Sequence, residues 1–257
     1  MRKVIFFSIF IILLSYIYFI STTENVINLG NSYNDKGLTH LNSSEYSKAI
    51  IEFKNALKDT SSTFEQLSMY NRNIGLAFEA LHYMDSAQYY KTKAISYCNT
   101  ESYHYYELKG ELFLYKNNID SAIINLEKAI KLNPNKLEAN NYIGLIFLGT
   151  YGIEYQNLKK ALYHNKKANE IYDDSITKFV LGKTYYELEM YNEAEMIFKN
   201  ILDEFGTDLD SKFALGLAYY KSGKIDKAKT IFEEVFLEDR TYISGMESII
   251  SELSINL

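Results

Sequence analysis

The sequence predicts an all-α protein: a right-handed α-solenoid of about six helical hairpins, closed by a C-terminal capping helix and preceded by a hydrophobic N-terminal helix. Three observations predict it. A chain of 257 residues with a single proline and twelve glycines is poor in the turn formers that a β architecture needs. Glycine recurs at Gly37, Gly75, Gly110, Gly144, Gly182 and Gly216, at intervals of 38, 35, 34, 38 and 34. Alanine follows twelve residues after five of them, at Ala49, Ala87, Ala122, Ala194 and Ala228, and at Ala161 in the remaining unit. Hydrophobic residues at 47% and charged residues at 23% supply a core and exclude wholesale disorder.

The N-terminus reads as a membrane address. Arg2 and Lys3 precede Val4 to Ile20, an uncharged run interrupted only by Ser8 and Ser15. As a helix it spans roughly 25 Å, close to the hydrocarbon thickness of a bilayer. Residues 1–21 are therefore a transmembrane signal-anchor or a cleaved signal peptide, with Ser21-Thr22-Thr23 the nearest approach to a cleavage site. With the two basic residues inside, both readings put the rest outside the cytoplasm. The chain is either anchored in a bacterial inner membrane facing the periplasm or released into the periplasm. Residues 22–29 form a short linker, 30–240 hold the six repeats and 241–257 the capping helix.

Within each repeat the residue types suggest how two helices meet. Glycine on the first helix and alanine on the second mark a close crossing. A large side chain three residues after the glycine, at Phe78, Phe113, Phe147, Tyr185 and Tyr219 with His40 in the first unit, fills the wedge. A second small residue stands at Ala56, Ala94, Ala129 and Ala168, replaced by Ile201 and Val235 in the last two units. Ser47, Asp85, Asp120, Asn192 and Asp226 are expected to cap the second helices, with Gln88 and Glu195 completing capping boxes and Lys159 unable to cap. After Arg240, Ile243, Met246, Ile249, Ile250 and Leu253 fall at helical spacing and predict the amphipathic terminal helix.

On these residues the chain resembles tetratricopeptide-repeat (TPR) proteins over about Gly30 to Arg240, most fully at Tyr106, Gly110, Phe113, Ala122, Leu126, Ala129 and Pro134. Unit four, with Gly149-Thr150-Tyr151-Gly152-Ile153 in a lengthened turn, is similar to the Sel1-like variant. Lys91 and Asn165 depart from the pattern, since the family carries a large residue four after the alanine.

The resemblance implies a concave face lined by the first helices. Its first half would present Asn34 and Leu38, then Arg72, Leu76 and Glu79, then Glu107 and Glu111, a mixed and acidic surface. Its second half would present Glu138, Asn141, Leu145 and Leu148, then Phe179, Lys183 and Tyr186, and lastly Asp210, Phe213, Leu217 and Tyr220, an aromatic end. Whether the terminal helix covers that end or only caps the stack stays open. Aromatic anchors on such a face suit an extended peptide or an amphipathic helix.

Little in the chain suggests chemistry. His40, His82, His104 and His164 are scattered, and only His104, Glu107 and Glu111 share a helix face at a spacing that a divalent ion could use. Asp208-Leu209-Asp210 lacks the glycine and glutamate of a calcium loop. Cys98 is the only cysteine, so neither an internal disulfide nor a cysteine zinc cluster can form, and no basic neighbour in sequence activates it. Nucleotide-binding loops and nucleophile elbows are missing. Three arginines (Arg2, Arg72 and Arg240) and a net charge of -6 disfavour nucleic acid. The expectation is a non-catalytic scaffold or adaptor of the cell envelope, without cofactor, metal or small-molecule substrate, whose partner is a protein or peptide. The alternative is a cleaved, soluble extracytoplasmic chaperone-like or envelope-assembly subunit.

Overall fold

A computed structural model describes residues 29–206 and 208–255. The apolar run Val4 to Ile20 lies outside them. Among the described residues no helix is long and apolar enough to cross a membrane. All regular structure in this range is helical, and the chain divides into two compact units, Met1–Asn118 and Ile119–Leu257.

In the first unit α1 (residues 29–42) is followed by α2 (Tyr46–Ala56), α3 (Phe64–Ala80), α4 (Met84–Ser96) and α5 (Tyr103–Tyr115), each of α2 to α5 packed on the one before. The second contains α6 (Ile119–Leu132), α7 (Leu137–Leu148), α8 (Leu158–Ile171), α9 (Ser175–Glu187), α10 (Tyr191–Phe205), α11 (Leu209–Lys221) and α12 (Ile225–Glu238), again packed in succession. Both small positions of every second helix are buried, from Ala49 and Ala56 through Ala228 and Val235. The repeat therefore marks the core, as its spacing predicts.

The side chain closest to the glycine is not the alanine's, however. A Cβ at Gly37, Gly182 or Gly216 would stand 2.4, 2.7 or 2.7 Å from a ring carbon of Phe53, Phe198 or Phe232. That ring lies four residues after the alanine, one turn along the same face. The alanine lets the helices approach, and the next turn's large side chain lies over the glycine. Lys91 occupies that position against Gly75, and Asn165 against Gly144.

The helix caps also differ from expectation. Second helices start one residue before Ser47, Asp85, Asp120, Asn192 and Asp226, so these residues lie inside the first turn. The caps at Glu45, Tyr83, Met190 and Lys224 accept no hydrogen bond through a side chain, and the capping boxes expected at Gln88 and Glu195 are not formed. A backbone device sets these starts instead. Ser44, His82, Asn117, Glu189 and Gly223 adopt φ of 59°, 60°, 54°, 59° and 76°, and the next amide donates to the carbonyl five residues back, as from Tyr83 to Phe78 at 2.9 Å and from Lys224 to Tyr219 at 2.9 Å. This is the left-handed closure that satisfies a helix C-terminus, and glycine, which adopts it without strain, provides it at Gly223 and, after α7, at Gly149, where the Thr150 amide donates to Leu145 at 3.2 Å.

Side-chain caps serve mainly the first helices. Thr63 with Gln66 and Asp174 with Thr177 form boxes on α3 and α9, and Ser102 and Asp208 cap α5 and α11. The lengthened turn of unit four passes through Gly149, a 3-10 turn at Ile153–Tyr155 and Asn157, which caps α8 by accepting from the Lys160 amide. Sequence inspection found no cap there because it looked two residues too late.

The core of the second unit includes a titrating group. His164 packs on Phe147 and contacts Asn140 Oδ1 at 3.1 Å, and burial, helped by the charge of Lys160, pushes it down from 6.5 to about 4. Above pH 6.5 the ring is neutral in both states and contributes no pH dependence. As pH falls from 6.5 toward 4, the unfolded chain takes up a proton that the folded chain refuses, so stability is lost across that window. The loss is about 1 kcal/mol once solvent screening of this half-buried ring is allowed for. His164→Gln is expected to flatten urea midpoints between those pH values, and an unchanged slope would assign the acid sensitivity elsewhere.

The C-terminal segment is a 3-10 turn, Arg240–Ile243, followed by the six-residue α13, Glu247–Glu252. It is shorter than the amphipathic run suggested. Met246, Leu253 and Ile255 join the core of the last hairpins, so the segment covers their apolar end.

Candidate partner-binding groove

Of the predicted groove residues of the first unit, Asn34, Glu107 and Glu111 are buried, and Leu38, Arg72, Leu76 and Glu79 are half-buried. Asn34 is buried and accepts from Asn73 Nδ2 of α3 at 3.0 Å, and Leu38 packs onto the apolar cluster around Phe53. Leu76 is half-buried. Arg72 Nε reaches Glu111 Oε2 at 2.8 Å, and its terminal nitrogen lies 3.4 Å from Glu107 Oε1. Lys91 Nζ bridges Glu111 Oε1 at 2.7 Å and Glu79 at 2.8 Å. His104 Nδ1 stands 3.0 Å from Glu107 Oε2.

Glu107 and Glu111 are 0% and 5% exposed, which removes them from any docking surface. Burial alone pushes the Glu111 carboxyl up, but the charges and hydrogen bonds of Arg72 and Lys91 outweigh it and hold it below the usual carboxylate range. Burial likewise pushes Lys91 down, and Glu111 with Glu79 more than restores it. The contact with Glu107 raises His104. Of the three residues singled out for a divalent ion, Glu107 and Glu111 thus face cations of the chain itself, and His104 faces Glu107. Among the described residues no group of three acidic, histidine or cysteine side chains has the geometry to hold a metal. Cys98 is held in its thiol form by burial, beside Ser68 Oγ at 3.3 Å.

In the second unit Asn141 and Leu145 of α7 are half-buried and do not line the cavity that residues of α9 and α11 form. That cavity, of about 270 Å³, lies between α9 and α11. Phe179, Phe213 and Leu217 line it from the two first helices, and Phe198 of α10 forms its floor. Phe179 and Phe198 pack with ring centroids 5.8 Å apart. Tyr186 stands at the wall, and Lys183, Glu187 and Asp210 complete it.

Six of the seven predicted residues on these helices converge here: Phe179, Lys183, Tyr186, Asp210, Phe213 and Leu217. Tyr220 does not, because its hydroxyl donates to Glu252 of the terminal segment. That segment also sets the Phe213 ring, which packs against Tyr242 at 5.1 Å. It braces the aromatic end without filling the cavity.

Sequence reading missed Phe198, Glu187 and Ala214 as lining residues. For Phe198 the signal was present, since a ring four residues after the alanine lies over the glycine and reaches the space between neighbouring first helices.

Residues 103–136 and 185–246 each match a family described as tetratricopeptide repeat. No curated protein sequence matches the chain. Among solved structures, it is similar to TTC0263, a thermophilic TPR protein of Thermus thermophilus, with TM-score 0.58 and 17% identity over 74% of this chain and 99% of that one. A structure of Pseudomonas aeruginosa pilF is similar at TM-score 0.63 and 14% identity, covering 89% and 99%. A tetratricopeptide repeat protein of Parabacteroides merdae is similar at 0.51 and 19%, covering 82% and 80%. At such identities the likeness is one of fold.

Proposed function

We propose that this chain, which is a tetratricopeptide-repeat protein, is a non-catalytic scaffold that grips an extended peptide or amphipathic helix in the slot between α9 and α11. The observation that carries this reading is the slot itself: three phenylalanines and a leucine converge on one concavity. Anchors buried in such pockets supply most of the energy of an interface. The cluster of Arg72, Lys91, Glu79, Glu107 and Glu111 in the first unit supports a structural role there, because these charged groups are spent on one another. The run Val4 to Ile20 behind Arg2 and Lys3 supports retention in a bacterial inner membrane, with the repeats on the periplasmic side.

In-cell photo-crosslinking tests the reading. Phe179→Ala with Leu217→Ser is expected to abolish crosslinks formed from the slot while leaving helical ellipticity at the wild-type level. The wild-type chain is expected to stay with the membrane fraction after an alkaline wash. Undiminished crosslinking moves the site away from the slot, and release by the wash removes the anchor.

A further inference from the structure

The slot combines an apolar floor with charges that the protein does not neutralise. Nearby lysines outside it are matched: Lys178 pairs with Asp173 and Glu204, and Lys212 with Glu234 at 2.8 Å. Glu187 and Asp210 line the slot, and among the described residues neither has a lysine or arginine within ion-pair distance. The one cation of the lining, Lys183, lies 5.9 Å from the centre of the Phe179 ring. The lining therefore carries two negative charges against one positive.

The two carboxylates stand at opposite ends. Asp210 is in the first turn of α11 and Glu187 is the last residue of α9, and α9 and α11 are equivalent first helices of successive repeats. Phe179 and Glu187 are eight positions apart on α9, roughly 12 Å along its axis. Asp210 is fixed in place: the Tyr242 hydroxyl donates to its Oδ1 at 2.6 Å, and the Tyr242 ring rests on Phe213.

We infer that the occupant of this slot is a peptide segment of another protein in which a leucine or aromatic anchor is flanked on both sides by lysine or arginine. The inference rests on the proposed role of the slot as a partner groove. The anchor enters between Phe179, Phe198, Phe213 and Leu217, and the flanking cations meet Asp210 at one end and Glu187 at the other. A segment with acidic flanks would place like charges against both ends, which costs affinity and slows encounter.

The test pans a random dodecapeptide display library against the detergent-solubilised full chain, then measures the selected peptides, synthesised with a fluorophore, by anisotropy at low and moderate salt. Selected sequences are expected to carry a leucine or aromatic anchor flanked on both sides by lysine or arginine. The double variant Glu187→Gln, Asp210→Asn, with unchanged ellipticity, is expected to weaken them about tenfold at low salt and to flatten their salt dependence. Peptides that need Phe179 and Leu217 but carry neutral or acidic flanks, or that bind the double variant equally well, overturn the charge inference and leave the groove standing. Failure to select any peptide whose binding is lost in Phe179→Ala with Leu217→Ser overturns the groove, and the inference with it.

Discussion

Lys91→Ala is expected to destabilise the first unit by about 3 kcal/mol, because it strips one of two cations from a carboxylate that cannot reach water. Lys91 and Glu111 are each 5% exposed and 2.7 Å apart. Arg72 remains to compensate Glu111, which keeps the loss at the lower end of the range for breaking a buried pair. The aliphatic stem of Lys91 also fills the space over Gly75, so its truncation leaves a void. Hydrogen exchange of the full chain reads the effect, since protection should fall in α3, α4 and α5 while α9 to α12 keep theirs. Replacing the pair by apolar side chains, Lys91→Met with Glu111→Leu, is expected to recover stability to within about 1 kcal/mol of wild type, because the desolvation penalty disappears with the charges. Wild-type protection in Lys91→Ala would show that the cluster is not a structural element.

Phe232→Ala should cost about 3 to 5 kcal/mol in the second unit. The ring is fully buried, stacks on Phe236 at 5.7 Å and packs on Phe213 at 5.7 Å. Its loss therefore opens a cavity and also loosens one wall of the slot. Gly216→Ala alone is expected to cost about 1 to 3 kcal/mol by overpacking, since its Cβ would stand 2.7 Å from the Phe232 ring and 3.0 Å from Ile231 Cγ2. Combined, the two changes should be less damaging than their sum by about 1 kcal/mol or more, because the added methyl enters space that the ring has left. Strict additivity in a urea double-mutant cycle would refute the crossing geometry.

How far the site could be read from the chain alone differs between the two units. In the second unit the register placed Phe179, Lys183, Tyr186, Phe213 and Leu217 on one face, and they converge on one slot. In the first unit the same register named Glu107 and Glu111, yet both are interior. A pattern of positions says which way a side chain leaves its helix. It does not say whether a neighbouring helix brings a cation to meet it there. The sequence clue was Lys91, a charge where the repeat expects a ring, and its consequence became visible only once Glu111 was found beside it. Tyr220 was assigned to the groove for a similar reason, since its partner Glu252 lies 32 residues away.

By itself the sequence determined the helical hairpins and their core, because a repeat of small and large residues every 34 to 38 positions is a statement about helix faces that needs no distant partner. Tertiary structure alone decided where the second helices begin, which charges are buried and which part of the first-helix face is open. These depend on backbone closure at left-handed residues of mostly ordinary type, and on desolvation by elements far away in the chain. Local periodicity carries neither.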